Sequence, residues 1–180
     1  MNLKKSTLVV LSASVALGAI VLTSAKSGAT TDTKLMGSGI YETAVKVSQK
    51  GWNIANSVVL VNDSAIEDVL ATTPFAEKIG APILLTDSSK LNNVTKNEIK
   101  RLGASKVYLI DGKSVLSDNL KNELRDINSN MKINRVSGNT REETAIEIAK
   151  LLAGIKPVKK IAVGNGKIGF ADAVSISAAA

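Results

Sequence analysis

The sequence predicts an α/β fold: small parallel-sheet βαβ units, with one complete copy and part of a second. Three observations point there. Short β-branched runs alternate with segments of helical periodicity. Aromatic residues make up only 3% of the chain, so the core has to be aliphatic. The pattern also restarts: Thr43-Ala44 recurs as Thr144-Ala145, an offset of 101 residues (144 minus 43).

The elements follow in order. Glu42 to Lys50 reads as a helix with Ala44, Val45, Val47 and Ser48 on one face. Ser57 to Val61 is a short run of the buried parallel-strand type. Ile66 to Ile79 reads as a helix that stops at Gly80, with a kink or break expected near Pro74. Ala81 to Leu85 is the second strand, and Asp87 to Asn93 a polar loop. Thr95 to Leu102 is a helix stopped by Gly103, and Lys106 to Ile110 the third strand. Ser117 is placed to cap a helix running to Asn128, with Leu120, Leu124 and Ile127 on its buried face. Lys132 to Val136 is the fourth strand. Strands alternating with helices at this spacing imply right-handed βαβ crossovers and a Rossmann/Toprim-like unit.

The repeat is legible beyond one dipeptide. "GSGIYETAVKVSQ" at 37–49 matches "GNTREETAIEIAK" at 138–150, and Asp68 recurs as Asp172. The expected organisation is a first unit at 35–135 and a partial second unit at 136–180. The second copy reaches Ala180 inside its second helix, so the chain reads as a fragment, a truncated open reading frame or a degenerate copy.

Lys4 and Lys5 precede an uncharged, mostly apolar run from Thr7 to Leu22, followed by small residues. This is the pattern of a secretory signal peptide over 1–25, with cleavage after Ala25 or Ala29. Net charge is +7, and removing Lys4 and Lys5 leaves +5. An exported basic chain meets anionic wall polymers, anionic lipid head groups, or little at all, most of its lysines reading as solvated surface. With so few aromatic rings to stack bases, nucleic acid is not an expected partner. After signal cleavage no membrane contact is expected.

The chain has no Cys and no His. Disulfides, Cys/His zinc sites, Cys nucleophiles and Ser-His triads are thereby excluded. No paired carboxylates read as an acid/base site, and no cofactor or metal is expected. Gly164, Gly166 and Gly169 form a G-x-G-x-x-G after a strand-like run. Its counterpart in the first copy, Asn62-Asp63-Ser64-Ala65, has no glycine, which argues against a nucleotide turn. Gly112-Lys113-Ser114 lacks the upstream glycine of a P-loop and reads as a turn.

"GSGIYETAVKVSQKGW", "EDVLATTPFA", "GAPILLT", "RLGASKVYLIDG" and "RVSGNTREETA" occur in that order. Together they resemble the cell-wall-binding repeat type 2 (CWB2-like) of clostridial surface proteins, from about Leu35 to Ala180. Ile40 and Glu142 stand where that family usually has Arg and Tyr. The resemblance implies noncovalent anchoring of a secreted surface protein, S-layer proteins included, to an anionic, teichoic-acid-like wall polysaccharide. It implies a location at the cell wall and no enzymatic activity in the repeats themselves. The alternative is an exported wall hydrolase of the N-acetylmuramoyl-L-alanine amidase kind, or a piece of one. The resemblance links polymer attachment to Ile83, Leu84 and Leu85, although an apolar triplet in a parallel strand is ordinarily core. Arg141 is a candidate for the polymer's anionic groups, because a guanidinium fork suits phosphate and carboxylate; it is equally suited to pair with Glu143 or Glu147. Asp68 reads as an early-helix carboxylate that complements the helix dipole. An incomplete second unit would leave apolar surface exposed, so self-association through the repeats is expected.

Overall fold

The computed structural model describes residues 35–155 and 157. Residues 1–25, expected to be an export signal, the Gly164–Gly169 stretch and Asp172 lie outside the described residues. The elements run α1 (Ile40–Gly51), β1 (Ser57–Asn62), α2 (Ile66–Lys78), β2 (Ile83–Thr86), α3 (Asn93–Leu102), β3 (Lys106–Ile110), α4 (Asn119–Ile127), β4 (Lys132–Val136) and α5 (Arg141–Ile155).

The strands form one parallel sheet in the order β2-β1-β3-β4. Leu60 lies opposite both Leu84 and Leu109. Strand β1 is buried on both faces, which is why it reads as a continuous apolar run. Val58 and Leu60 join Leu84, Leu109, Ile99 and Leu120 in one core, under α1, α3 and α4. Val59 and Val61 join Phe75, Tyr108, Val136 and Ile148 in the other, under α2 and α5. The chain leaves β1 towards β2, then returns past it to β3. The order therefore reverses between β1 and β3, and their carboxyl ends flank the switch point of the sheet.

Three local expectations are corrected. Helix α2 runs unbroken through Pro74. Phe75 and Ala76 directly after the proline are buried against the sheet, and that packing keeps the helix from breaking there. Ser117 does not cap α4: the helix begins two residues later, and the buried Ser117 hydroxyl has no hydrogen-bond partner. Val47 points outward at 46% exposure, whereas Val45 and Ser48 of α1 are buried. Asn92 caps α3 by accepting from the Val94 amide at 2.9 Å, and Gly103 ends it in the left-handed region.

A buried charge ties α1 to α3. Glu98 is 2% exposed and accepts from Ser48 Oγ at 2.6 Å and from Arg101 Nε at 2.7 Å. Burial pushes its carboxyl upward, but the hydrogen bonds from Arg101, Ser48 and Gln49 outweigh this and hold it below the ordinary value. Arg101 also donates to the carbonyls of Trp52 and Asn53, fixing the turn out of α1. Trp52 packs against the core and donates to the Gly80 carbonyl at 2.8 Å, a structural role.

Candidate functional site

The helix starts at α1 and α5 share one geometry. The Gly37 amide donates to Thr43 Oγ1 at 3.0 Å, and the Gly138 amide donates to Thr144 Oγ1 at 3.0 Å. Each threonine hydroxyl donates back into its own first turn, to Gly39 O at 2.8 Å and to Thr140 O at 3.2 Å. Neither glycine has room for a side chain. An added Cβ would lie 2.4 Å from Glu42 Cβ at Gly37 and 2.1 Å from Glu143 Cβ at Gly138. The matching stretches of sequence therefore fold alike: a glycine is pressed against the first turn and locked by the following threonine.

Strand β2 divides the Ile83-Leu84-Leu85 triplet between the two faces of the sheet, as strand alternation requires. Leu84 is fully buried in the core with Val58 and Leu60. Ile83 and Leu85 face the other way and are half-buried. With Met36, Ile40 and Val69 they line an apolar groove of about 540 Å³, beside the start of α1. Met36 and Ile40 are exposed at 58% and 52%. Lys46 Nζ donates to the Met36 carbonyl at 2.7 Å and fixes that side of the groove. At the carboxyl end of β1, the Tyr41 hydroxyl donates a hydrogen bond to Asp63. That bond, reinforced by burial and by the Asp63 charge, pushes the phenol up to about 12.

Arg141 is not part of the groove lining. It opens α5, half-exposed, and pairs with Glu67 of α2 at 3.2 Å. It meets neither Glu143 nor Glu147: Glu143 accepts from the Asn139 amide, and Glu147 pairs with Lys150. Of the residues singled out from sequence, Ile83 and Leu85 come together, Leu84 lies on the opposite face, and Arg141 stands elsewhere.

The sequence reading missed the groove partners Met36, Ile40 and Val69, and above all Asp111. This residue follows β3 directly and has φ 106°, the single non-glycine residue with positive φ among those described. It is 6% exposed, and its Oδ2 has no hydrogen-bond partner. Asp68, from the first turn of α2, is 3% exposed and lies within hydrogen-bonding reach of it. Burial, then the Asp111 charge, pushes Asp68 up to about 7, against some relief from Arg141. Burial likewise raises Asp111. Asp68 does sit at the helix start, as expected, and its carboxyl is buried there. The turn after β3 is ordinary: Leu116 donates to the Gly112 carbonyl at 2.9 Å, and Lys113 pairs with Asp118 at 2.8 Å. Among the described residues no group of three or more acidic, His or Cys side chains is arranged to hold a metal, and no helix is long and apolar enough to cross a membrane.

A parallel α/β unit whose glycine–threonine helix start recurs at α1 and α5 defines the class: an α/β protein built from tandem repeats. The family described as Cell wall binding domain 2 (CWB2) matches residues 34–121 and 135–180. The chain belongs to this family, which places it at the cell wall or cell surface. Cwp6 from Clostridium difficile superposes with a TM-score of 0.77 at 35% identity, over 80% of this chain and 23% of that one. Cwp8 from the same organism gives 0.72 at 39% identity, over 81% and 25%. The N-acetylmuramoyl-L-alanine amidase LytC of Bacillus subtilis (strain 168) is 31% identical over 140 residues, 78% of this chain and 27% of the amidase. The amidase enhancer of the same strain is 31% identical over 144 residues, 80% of this chain and 19% of its own length. The chain thus spans about a quarter or less of these relatives.

Proposed function

We propose that the chain anchors a secreted surface protein noncovalently to an anionic, teichoic-acid-like wall polysaccharide, and that it is not itself an enzyme. Membership of the wall-binding family carries this reading. The net charge of +5 that remains when Lys4 and Lys5 are removed from +7, and the absence of His and Cys, support it. In this reading residues 1–25 are an export signal, 35–135 form the first repeat and 136–180 part of a second. Ile83 and Leu85 contact polymer from the groove, Leu84 holds their strand in place, and Arg141 meets an anionic group beside Glu67. Many weak charge contacts suit a repeating polymer, and salt weakens them because screening acts within ~8 Å at physiological ionic strength.

Pelleting with purified clostridial-type walls tests this. The expected result is retention that falls as salt is raised and disappears when anionic polymer is chemically stripped from the walls. Equal retention on stripped walls would refute the polymer assignment. The alternative is an exported hydrolase, which the name of the LytC relative brings forward. A clearing band from this chain in peptidoglycan zymography would establish that alternative.

Self-association is part of the proposal. Val47 of α1 and Ile146 and Ile155 of α5 are exposed apolar side chains. Sedimentation velocity is expected to show a species larger than the monomer that grows with concentration. A monomer at every concentration would remove this part.

A further inference from the structure

Asp68 and Asp111 come from different elements, α2 and the residue after β3, and both lie at the carboxyl end of the sheet beside its switch point, near enough for each to act on the other's charge. Both are more than nine-tenths buried. Two ionised carboxylates have no proton to share, and Asp111 Oδ2 then has no donor. One proton on Asp68 converts the contact into a charge-assisted hydrogen bond. The backbone is constrained at the same place: Asp111 is held at φ 106°, a conformation that is costly for a non-glycine residue.

The surrounding charges are mixed. From α2 comes Glu67; from the start of α5 come Arg141, Glu142 and Glu143; from β4 comes Arg135. Glu67 is taken up by Arg141 and Glu143 by the Asn139 amide, while Arg135 donates to the Asp111 carbonyl at 2.7 Å and pairs with Asp118 at 3.4 Å, its buried Nε having no partner. Asp63, in the turn before α2, is taken up by Tyr41. Arg141 and Arg135 favour ionised Asp111, but burial opposes it more strongly.

We propose that Asp68 and Asp111 form a proton-sharing latch that closes the carboxyl end of this sheet, with the start of α5 seated over it, in acid and loosens it as pH rises. A carboxyl raised in the folded state contributes stability below its unfolded value and loses it as pH climbs through the folded value. For Asp68 that window runs from 3.8 to about 7. Fixed negative charge concentrates protons around it, so a chain lying on an anionic polymer would be held nearer the closed state. That last step rests on the polymer reading; the latch itself does not.

Amide exchange on the full chain at pH 5 and pH 8, corrected for intrinsic rates and without polymer, tests the latch. Residues 67–70 and 111–116 are expected to lose at least about tenfold more protection than β1 between the two values, since one pKa unit corresponds to a tenfold population change. Asp111→Gly removes one carboxyl and suits the left-handed backbone, and is expected to abolish that difference. Asp68→Asn provides a second, independent chain that keeps a donor towards Asp111. The latch is refuted if the wild-type chain shows no such local loss, or if both variants keep it.

Discussion

Replacing Leu84 by alanine is expected to cost about 2–5 kcal/mol of folding stability, whereas Ile83→Ala and Leu85→Ala cost markedly less. The triplet is uniform in sequence but not in environment. Leu84 is fully buried on the middle of an edge strand and shares a core with Val58, Leu60, Ile99 and Leu102. Removing its branched end leaves a hole that the parallel sheet cannot close without moving β1. Ile83 and Leu85 border the open groove, so water takes the vacated space at a smaller penalty. Urea unfolding followed by circular dichroism measures all three. Wall retention lost in Leu84→Ala would therefore report unfolding, and only the two neighbours can report contact with polymer.

Alanine at Gly138 is the second large effect. Its Cβ would fall 2.1 Å from Glu143 Cβ and 2.6 Å from the Glu143 backbone carbon. Backbone cannot rotate away as a side chain does, so the segment before α5 has to lift. The 3.0 Å bond to Thr144 Oγ1 and the 2.6 Å bond from the Asn139 amide to Glu143 go with it. A cost of about 1–3 kcal/mol follows from the overpacking alone. Gly37→Ala is expected to behave alike, since its Cβ meets Glu42 at 2.4 Å and its amide serves Thr43 in the same way. Thermal melts of the two variants provide the comparison. A benign Gly138→Ala beside a damaging Gly37→Ala would show that the two helix starts are not equivalent.

The alternation of elements was legible because parallel strands are buried on both faces and so appear as unbroken apolar runs. Ser57 to Val61 and Lys106 to Ile110 are of this kind, and their limits match β1 and β3 to within a residue. Position within a helix was less legible. The helical wheel put Val47 with Val45, but the two differ by 200° at 100° per residue and lie on opposite sides. Pro74 carried a local signal for a break that packing of Phe75 and Ala76 overrode. The helix-capping potential of Ser117 went unused because α4 starts beyond its reach.

The candidate site was half legible. The strand carrying Ile83 and Leu85 could be found, but its face towards Met36, Ile40 and Val69 depends on where α1 begins in space. Asp111 could not be found at all. Nothing in "LIDGK" announces a positive φ at an aspartate or a buried acidic partner 43 residues earlier (111 minus 68). Asp68 was visible only through its recurrence at Asp172, and recurrence does not distinguish a solvated helix-start carboxylate from a buried one.

The most direct measurement compares wall retention of the wild-type chain with that of the double variant Ile83→Ser, Leu85→Ser. Melting temperatures are recorded on the same preparations. A loss of affinity for polymer-bearing walls of about tenfold or more, roughly 1.4 kcal/mol, is expected, with a cooperative melt retained. Undiminished binding by a folded double variant would contradict the claim that the β2 groove is where the chain holds the wall.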